Sequence, residues 1–197
     1  MTMFFLIRHA AHDLVDRVLA GRKVDVPLNE PGRRQAEAIA RQLAHEPLTR
    51  IIASPRRRAC QTAEPLCALA KLPLATAVQI DEHDAGLWAG RSFSELARDP
   101  RWRLWNERRA AARPPGGESM LELQQRVVGY LDALTARHPH ETIALVSHAE
   151  PIRAALMHAR GIAAEDFLSV DVPIASIARL DHRAAVTSRH DASIGAA

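Results

Sequence analysis

MTMFFLIRHA, residues 1–10, is the stretch from which the rest of the chain is read. Its first seven residues are apolar or small, and they deliver an adjacent Arg8 and His9 to the end of that run. A strand buried in a parallel sheet reads as a continuous hydrophobic run, and ligands of open α/β sheets bind beyond the strands' carboxyl ends. Arg8 and His9 therefore sit where chemistry is expected. Taken alone the pair has an ordinary alternative, a strand end carrying two solvated polar residues.

Three further segments decide between these readings. ASPRRRACQTAE, residues 53–64, follows the short apolar stretch RII and sets Arg56, Arg57 and Arg58 at a strand-to-helix turn. Unpartnered N–H groups and the positive end of the helix dipole make such a turn attractive to phosphate, although three arginines in a row also suit a solvated face. QIDEHDAGLWAG, residues 79–90, places Glu82 with His83 and Asp84 after another apolar run, ATAVQI. That offers a carboxyl group for proton transfer. TIALVSHAEPIRAAL, residues 142–156, is a strand ending in Ser147 and His148 before a helical pattern, so a second histidine reaches the same sheet edge.

Together these segments resemble the histidine phosphatase superfamily, the phosphoglycerate mutase-like clan, over nearly the whole chain. Members carry RHG, SPLxRAxQTA, LxExxxGxWEG and VSHGxxIR in that order. Here the motifs read RHA, SPRRRACQTA, IDEHDAGLWAG and VSHAEPIR, with DVPLNEPGRRQA at 25–36 and PPGGES at 114–119 in the same style. The departures are Ala10 and Ala149 for glycine, Arg56 for leucine, Ala89 for glutamate and Val15 for an asparagine that touches phosphate in many relatives. If either alanine needed a positive φ, its Cβ would cost about 1 kcal/mol or more.

The resemblance implies a metal-independent phosphoric monoester hydrolase without a cofactor. His9 is the implied nucleophile, forming a phosphohistidine that splits one displacement into two. Arg8 and Arg58 are implied to bind phosphate by guanidinium forks, with His148 donating a proton to a phosphoryl oxygen. Glu82 is implied as general acid and then base, with Asp84 as the second candidate. Arg22, in LAGR, and Ala149 complete the expected phosphate-binding set. His9, His12, Glu82, His83 and Asp84 also suggest a metal site, but packed cations would repel a metal ion. The remaining histidines, at 45, 138, 140, 158, 182 and 190, have no motif around them and are expected at the surface.

The 197 residues, 47% hydrophobic and 25% charged, suffice for one core, and no linker or repeat divides them. A single domain over 1–197 is expected, with an insertion at about 91–118 and a frayed tail at about 189–197. The net charge of +3 and pI near 9.4 suit small phosphorylated anions. No basic arm or aromatic-interleaved stripe indicates nucleic acid. Cys60 and Cys67 lie about 10 Å apart along a helix, too far for a disulfide. MTMFFLI is too short for a signal core or a membrane span, so a cytoplasmic location and no membrane partner are expected. A second copy of the chain is an open partner, as a homodimer.

The alternation of strands and helices predicts a three-layer α/β/α sandwich with a mostly parallel sheet. Strands are expected at 2–8, 50–53, 75–80 and 142–147, with IASIARL and AAVTS forming a late edge hairpin. Helices are expected over PGRRQAEAIARQLAHE with Asn29 as cap, and at 56–71, 119–137 and 151–160. Residues 91–113 carry Trp102, Trp105 and six arginines from Arg98 to Arg113; they read equally as a substrate lid or as an amphipathic helix pair with its tryptophans inward. Mutases of the superfamily that the chain resembles tend to have a longer insertion, and only 66 positions separate Glu82 from His148 here, so the resemblance implies hydrolysis over mutase chemistry. The alternatives are a phosphoglycerate mutase and a catalytically weak phosphate-binding regulatory module.

Overall fold

A computed structural model describes residues 1–183. Its sheet runs in the order β3-β2-β4-β1-β5, built from β1 (Thr2–Arg8), β2 (Arg50–Ala53), β3 (Leu74–Thr76), β4 (Thr142–Ser147) and β5 (Ile177–His182). The first four strands are parallel and β5 pairs antiparallel with β1. Because side chains alternate along a strand, Phe4 and Leu6 enter one core and Phe5 and Ile7 the other. The first core takes Leu123, Val127 and Leu131 of α5 (Met120–Arg137) and Ile152 of α6 (Ala149–Arg160). The second takes Ile39 of α1 (Glu30–Gln42) and Ala59, Ala63 and Leu66 of α2 (Arg57–Ala70). Helices therefore cover both faces, as the expected three-layer sandwich requires.

Local chemistry sets the helix starts. Asn29 accepts from Gly32 N at 2.9 Å and caps α1, while Ser119 and Glu122 form a reciprocal capping box on α5. Pro65 lies inside α2 without ending it. The expected helix at 151–160 begins two residues earlier, at Ala149, so His148 becomes its N-cap.

Three expectations change. The strand expected at 75–80 stops at Thr76, and Val78–Ile80 forms a 3₁₀ turn. Ala77 N makes a last bond to Ala53 O, after which Ser147 Oγ donates to Ile80 O at 2.7 Å and draws the chain back over the sheet edge. The late strand is β5 rather than 174–180, because Ala175 at φ 58° turns the chain just before it. AAVTS and the tail at 189–197 lie outside the described residues. His182, expected at the surface, is buried, bonds Asp132 at 2.7 Å and meets Phe4 edge-on.

The segment after β3 is braced by PPGGES. Gly86 has φ +54°, and a Cβ there would lie 2.2 Å from Pro115 O. Leu87 N also donates to Pro115 O. Gly86→Ala is expected to lower stability by about 2–4 kcal/mol, combining backbone strain and overpacking, and to reduce turnover because the loop carries Glu82, the expected general acid. Thermal melts together with kcat check this; an unchanged melting temperature contradicts it. Downstream, α3 (Phe93–Leu96) and α4 (Pro100–Glu107) make the insertion, and Trp88 Nε1 donates to Asp99, the N-cap of α4. Among the described residues no helix is long and apolar enough to cross a membrane.

Candidate active site

Parallel pairing brings the motif residues together. Arg8 of β1 pairs with Ser147 of β4, so the residues that follow, His9 and His148, leave the sheet side by side. Their rings lie 5.1 Å apart, nearly edge to face, although 139 positions separate them in the chain. Beside His9 opens a cavity of about 410 Å³ whose lining includes Arg8, Arg58, Glu82, His12 and Ala149, while His148 is fully buried behind the lining.

His9 is buried, and its Nδ1 lies 2.9 Å from Ala10 O. A carbonyl only accepts, so Nδ1 carries the proton and Nε2 keeps its lone pair. Burial first, then the Arg58 charge, holds the ring's pKa well below its ordinary value. His12 stacks on it at 5.3 Å and is itself lowered to about 4, chiefly by burial and then by Arg58.

Arg58 donates through one Nη2 to Gly21 O at 2.9 Å and to His148 Nδ1 at 3.1 Å; its Nε and Nη1 are buried without a partner. Arg8 donates to Val172 O at 2.7 Å and likewise leaves Nε unpartnered. Buried donors without acceptors are costly, and both arginines line the cavity. Of the three consecutive arginines only Arg58 is buried: Arg57 is exposed, and Arg56 holds Asp81 Oδ2 at 3.0 Å.

His148 differs from its expected state. Because Arg58 occupies Nδ1, the proton sits on Nε2 and is donated to Ser54 Oγ at 2.7 Å, which in turn donates to Asp81 at 3.0 Å. Burial, then Arg58, keeps the ring neutral. His148 caps α6 without a side-chain bond, leaving the first N–H groups of that helix, at Ala149 and Glu150, open to an anion.

Glu82 is largely buried, with Oε2 3.7 Å from His148 Nδ1. Burial pushes its carboxyl up to about 7 against the lowering pull of Arg58. Asp84, the second candidate acid, does not line the cavity; it bonds Gly86 N and lies 3.8 Å from Arg22. Arg22 is a correction. It was expected at the phosphate but donates to Glu118 Oε1 and to the Glu82 carbonyl, both at 2.6 Å, because three carboxylates surround it. It braces the loop that carries Glu82 and stays outside the cavity lining.

The alanine departures carry no strain. Neither adopts a positive φ; the left-handed non-glycine residues of the described chain are Asp16, Lys71, His140 and Ala175. Ala10 is fully buried, packs against Leu28 and Ala36, and donates its N–H to Thr62 Oγ1. His83 is committed to Glu118 O at 2.8 Å and stacks on Trp105. Among the described residues no three His, Cys, Asp or Glu side chains gather as a metal cluster. Trp102 and Trp105 both pack inward and border the cavity, so the two readings of residues 91–113 merge.

Sequence reasoning left Ser54, Asp81, Arg109, Glu150 and Arg153 unassigned. Ser54 and Asp81 stand inside quoted motifs, beside Pro55 and Glu82, which was the available signal.

The sequence profile of the histidine phosphatase superfamily (branch 1) matches residues 4–189. The chain belongs to this superfamily. Among its superfamily relatives, phosphoserine phosphatase 1 of Hydrogenobacter thermophilus is 31% identical over 171 residues, 86% of this chain and 81% of that one. A probable phosphoglycerate mutase of Proteus mirabilis is 30% identical over 186 residues, 93% and 86% of the two chains. A mycobacterial glucosyl-3-phosphoglycerate phosphatase superposes with TM-score 0.81 at 27% identity, covering 90% of this chain and 88% of that one. Bacillus stearothermophilus YhfR shares the histidine phosphatase fold at TM-score 0.86 and 24% identity, over 92% and 91% of the chains.

Proposed function

We propose that the protein hydrolyses the phosphomonoester of a small metabolite through a phosphohistidine on His9. The observation that carries this reading is the His9 tautomer: an Nε2 lone pair left free by the Nδ1 bond, in one cavity with two arginines that have spare donors. His9 Nε2 attacks phosphorus as the bond to the leaving oxygen breaks. Arg8 and Arg58 neutralise charge on the equatorial oxygens, where most phosphoryl-transfer catalysis resides. The leaving oxygen takes the Glu82 proton; the resulting carboxylate then accepts a proton from water as its oxygen attacks phosphorus and the N–P bond breaks. A dianionic phosphoryl group offsets the cations that keep His148 neutral, so its Nδ1 gains a proton and donates to a phosphoryl oxygen in place of accepting from Arg58. The Ala149 and Glu150 N–H groups supply further donors.

The sign of the pH dependence follows. Glu82 must begin protonated and its pKa is about 7, so kcat/KM falls as pH rises through that value. His9 stays neutral well below pH 6.5, so it does not limit activity there. Glu82→Gln is expected to cost about 10²–10⁴-fold in turnover. A substrate with a good leaving group still phosphorylates His9 slowly, after which the phosphoenzyme accumulates. Rapid-quench labelling checks this; a variant that turns over normally removes Glu82 from the scheme.

The test of the whole reading is phosphate release over a metabolite panel, including phosphoserine and glucosyl-3-phosphoglycerate on the strength of the relatives. Mutase chemistry is the second reading, favoured by the Proteus relative. It predicts interconversion of 2- and 3-phosphoglycerate without phosphate release, dependent on a bisphosphoglycerate primer. The compact insertion supports hydrolysis instead. Unstrained Ala10 and Ala149 remove the main argument for a module without turnover.

A further inference from the structure

Trp102, Trp105, Asn106 and Arg109 line the cavity from an arm, α4 with residues 108–113, and this arm is held from inside. The Arg109 guanidinium carbon lies 3.8 Å from the Trp105 ring centre and 4.7 Å from that of Phe167. Its Nη1 donates to Glu150 Oε1 at 3.1 Å and its Nη2 to Asn106 at 2.8 Å. The other Glu150 oxygen accepts from Arg153 at 2.9 Å, and Arg153 lies on the opposite side of the bridge, also 4.7 Å from Phe167. The three charged side chains are only 11%, 19% and 13% exposed, in the order Arg109, Glu150, Arg153. In so dry a setting, removing one partner leaves the others uncompensated. Among the described residues Glu150 is thus the one carboxylate joining the arm to the amino-terminal end of α6, one residue beyond the Ala149 N–H.

We propose that Glu150 is a positioning residue: it clamps the arm through Arg109 against α6 and thereby sets which leaving groups the cavity accepts. The alternative use of this aromatic wall, as a cage for a cationic substrate group, is already filled by the chain's own Arg109. A clamped wall of Trp102 and Trp105 suits flat or apolar leaving groups, while the phosphoryl end is built independently from β1, α2 and the turn after β4.

The same carboxylate acts on the acid. Glu82 faces Arg8 from β1, Arg58 from α2, and His148 and Glu150 from the turn into α6, with Asp81 and His83 on its own loop. Arg58 and Arg8 pull its pKa down, and Glu150 pushes it up alongside burial. Losing the Glu150 charge therefore makes Glu82 surrender its proton at lower pH. A purely structural brace would not produce that shift.

The proposal rests on the phosphatase reading, and its test separates the two. Every tryptophan of the chain, at 88, 102 and 105, lies in this one cluster, so fluorescence reports the arm without any turnover. In Glu150→Ala, acrylamide quenching is expected to rise about twofold, and KM for p-nitrophenyl phosphate about tenfold, the scale of one lost ion pair. KM for glycerol phosphate should change less than about threefold, since its leaving group is too small to use the wall. Glu150→Gln keeps one oxygen to accept from Arg109 but removes the charge and turns an NH2 toward Arg153, so it should recover only part of the quenching and KM change while moving the alkaline limb of kcat/KM down by about half a pH unit. Arg109→Met should copy the alanine variant's quenching and KM changes. If Glu150→Ala fails to fold, Glu150→Gln and Arg109→Met decide by the same measurements. Unchanged quenching and an unchanged KM ratio in Arg109→Met, or an unmoved limb in Glu150→Gln, overturns the proposal. Absence of any phosphatase activity in the wild type sinks the reading of the site, whereas the quenching results still judge the clamp.

Discussion

Alanine in place of His9 is expected to reduce phosphate release by on the order of 10⁴–10⁶-fold, the cost of losing a covalent nucleophile, and to leave no trappable phosphoenzyme. No neighbour can stand in. His148 has its Nδ1 committed to Arg58 and its Nε2 to Ser54, and His12 uses its Nδ1 to accept from Leu14 N. The substitution should leave the fold intact, because the strand pairing that carries Arg8 and Ser147 is backbone work and Ala10 N keeps its bond to Thr62. Substrate affinity should persist for the same reason: Arg8 and Arg58 retain their unpartnered donors. The measurement is phosphate release in a folded, clean preparation, paired with substrate binding by calorimetry. Retained turnover would end the covalent scheme, while lost binding would move His9 from chemistry to recognition.

The parts of the site that lie on strands were legible because buried parallel strands write themselves as apolar runs. FFLI, RIIA and TIALV each end at a chemical residue, and parallel pairing forces those ends to one edge. That is how His9 and His148 could be joined from the sequence. Residues whose partners come from loops were not legible. Arg22 looks like any arginine near a phosphate motif; only the packing of PPGGES against the acid loop reveals Glu118 and Asp84 around it. The run ATAVQI alternates well enough for a strand, yet Ser147 Oγ bends it into a turn from another strand altogether. The protonation of His148 was unreadable for a related reason, since it depends on whether Nδ1 meets a donor, Arg58, or an acceptor, a phosphoryl oxygen. Glu150 was hidden inside VSHAEPIR because its meaning lies in Arg109, 41 positions away.

Arg58→Met is expected to have the second largest effect, about 10³–10⁵-fold in kcat/KM, the range for an arginine that neutralises transition-state charge in phosphoryl transfer. Methionine fills much of the buried volume, so the loss reports charge and geometry more than packing. Lysine should not rescue, because a single ammonium cannot both reach Gly21 O and offer a planar fork to two phosphoryl oxygens. The variant also carries a signature in its pH profile. Arg58 is the leading electrostatic cause, after burial, of the depressed pKa of both His9 and His148. Without it both values rise, so His9 begins to protonate at a higher pH and residual activity falls on the acid side, where the wild type is unaffected. Glu82 moves the same way: with the lowering influence of Arg58 removed, its pKa climbs and the alkaline limb shifts upward. Both limbs of the remaining activity should therefore move to higher pH together. A large loss of rate with neither limb displaced would mean that Arg58 acts on the substrate without facing the histidines and the acid, contrary to its 3.1 Å contact with His148.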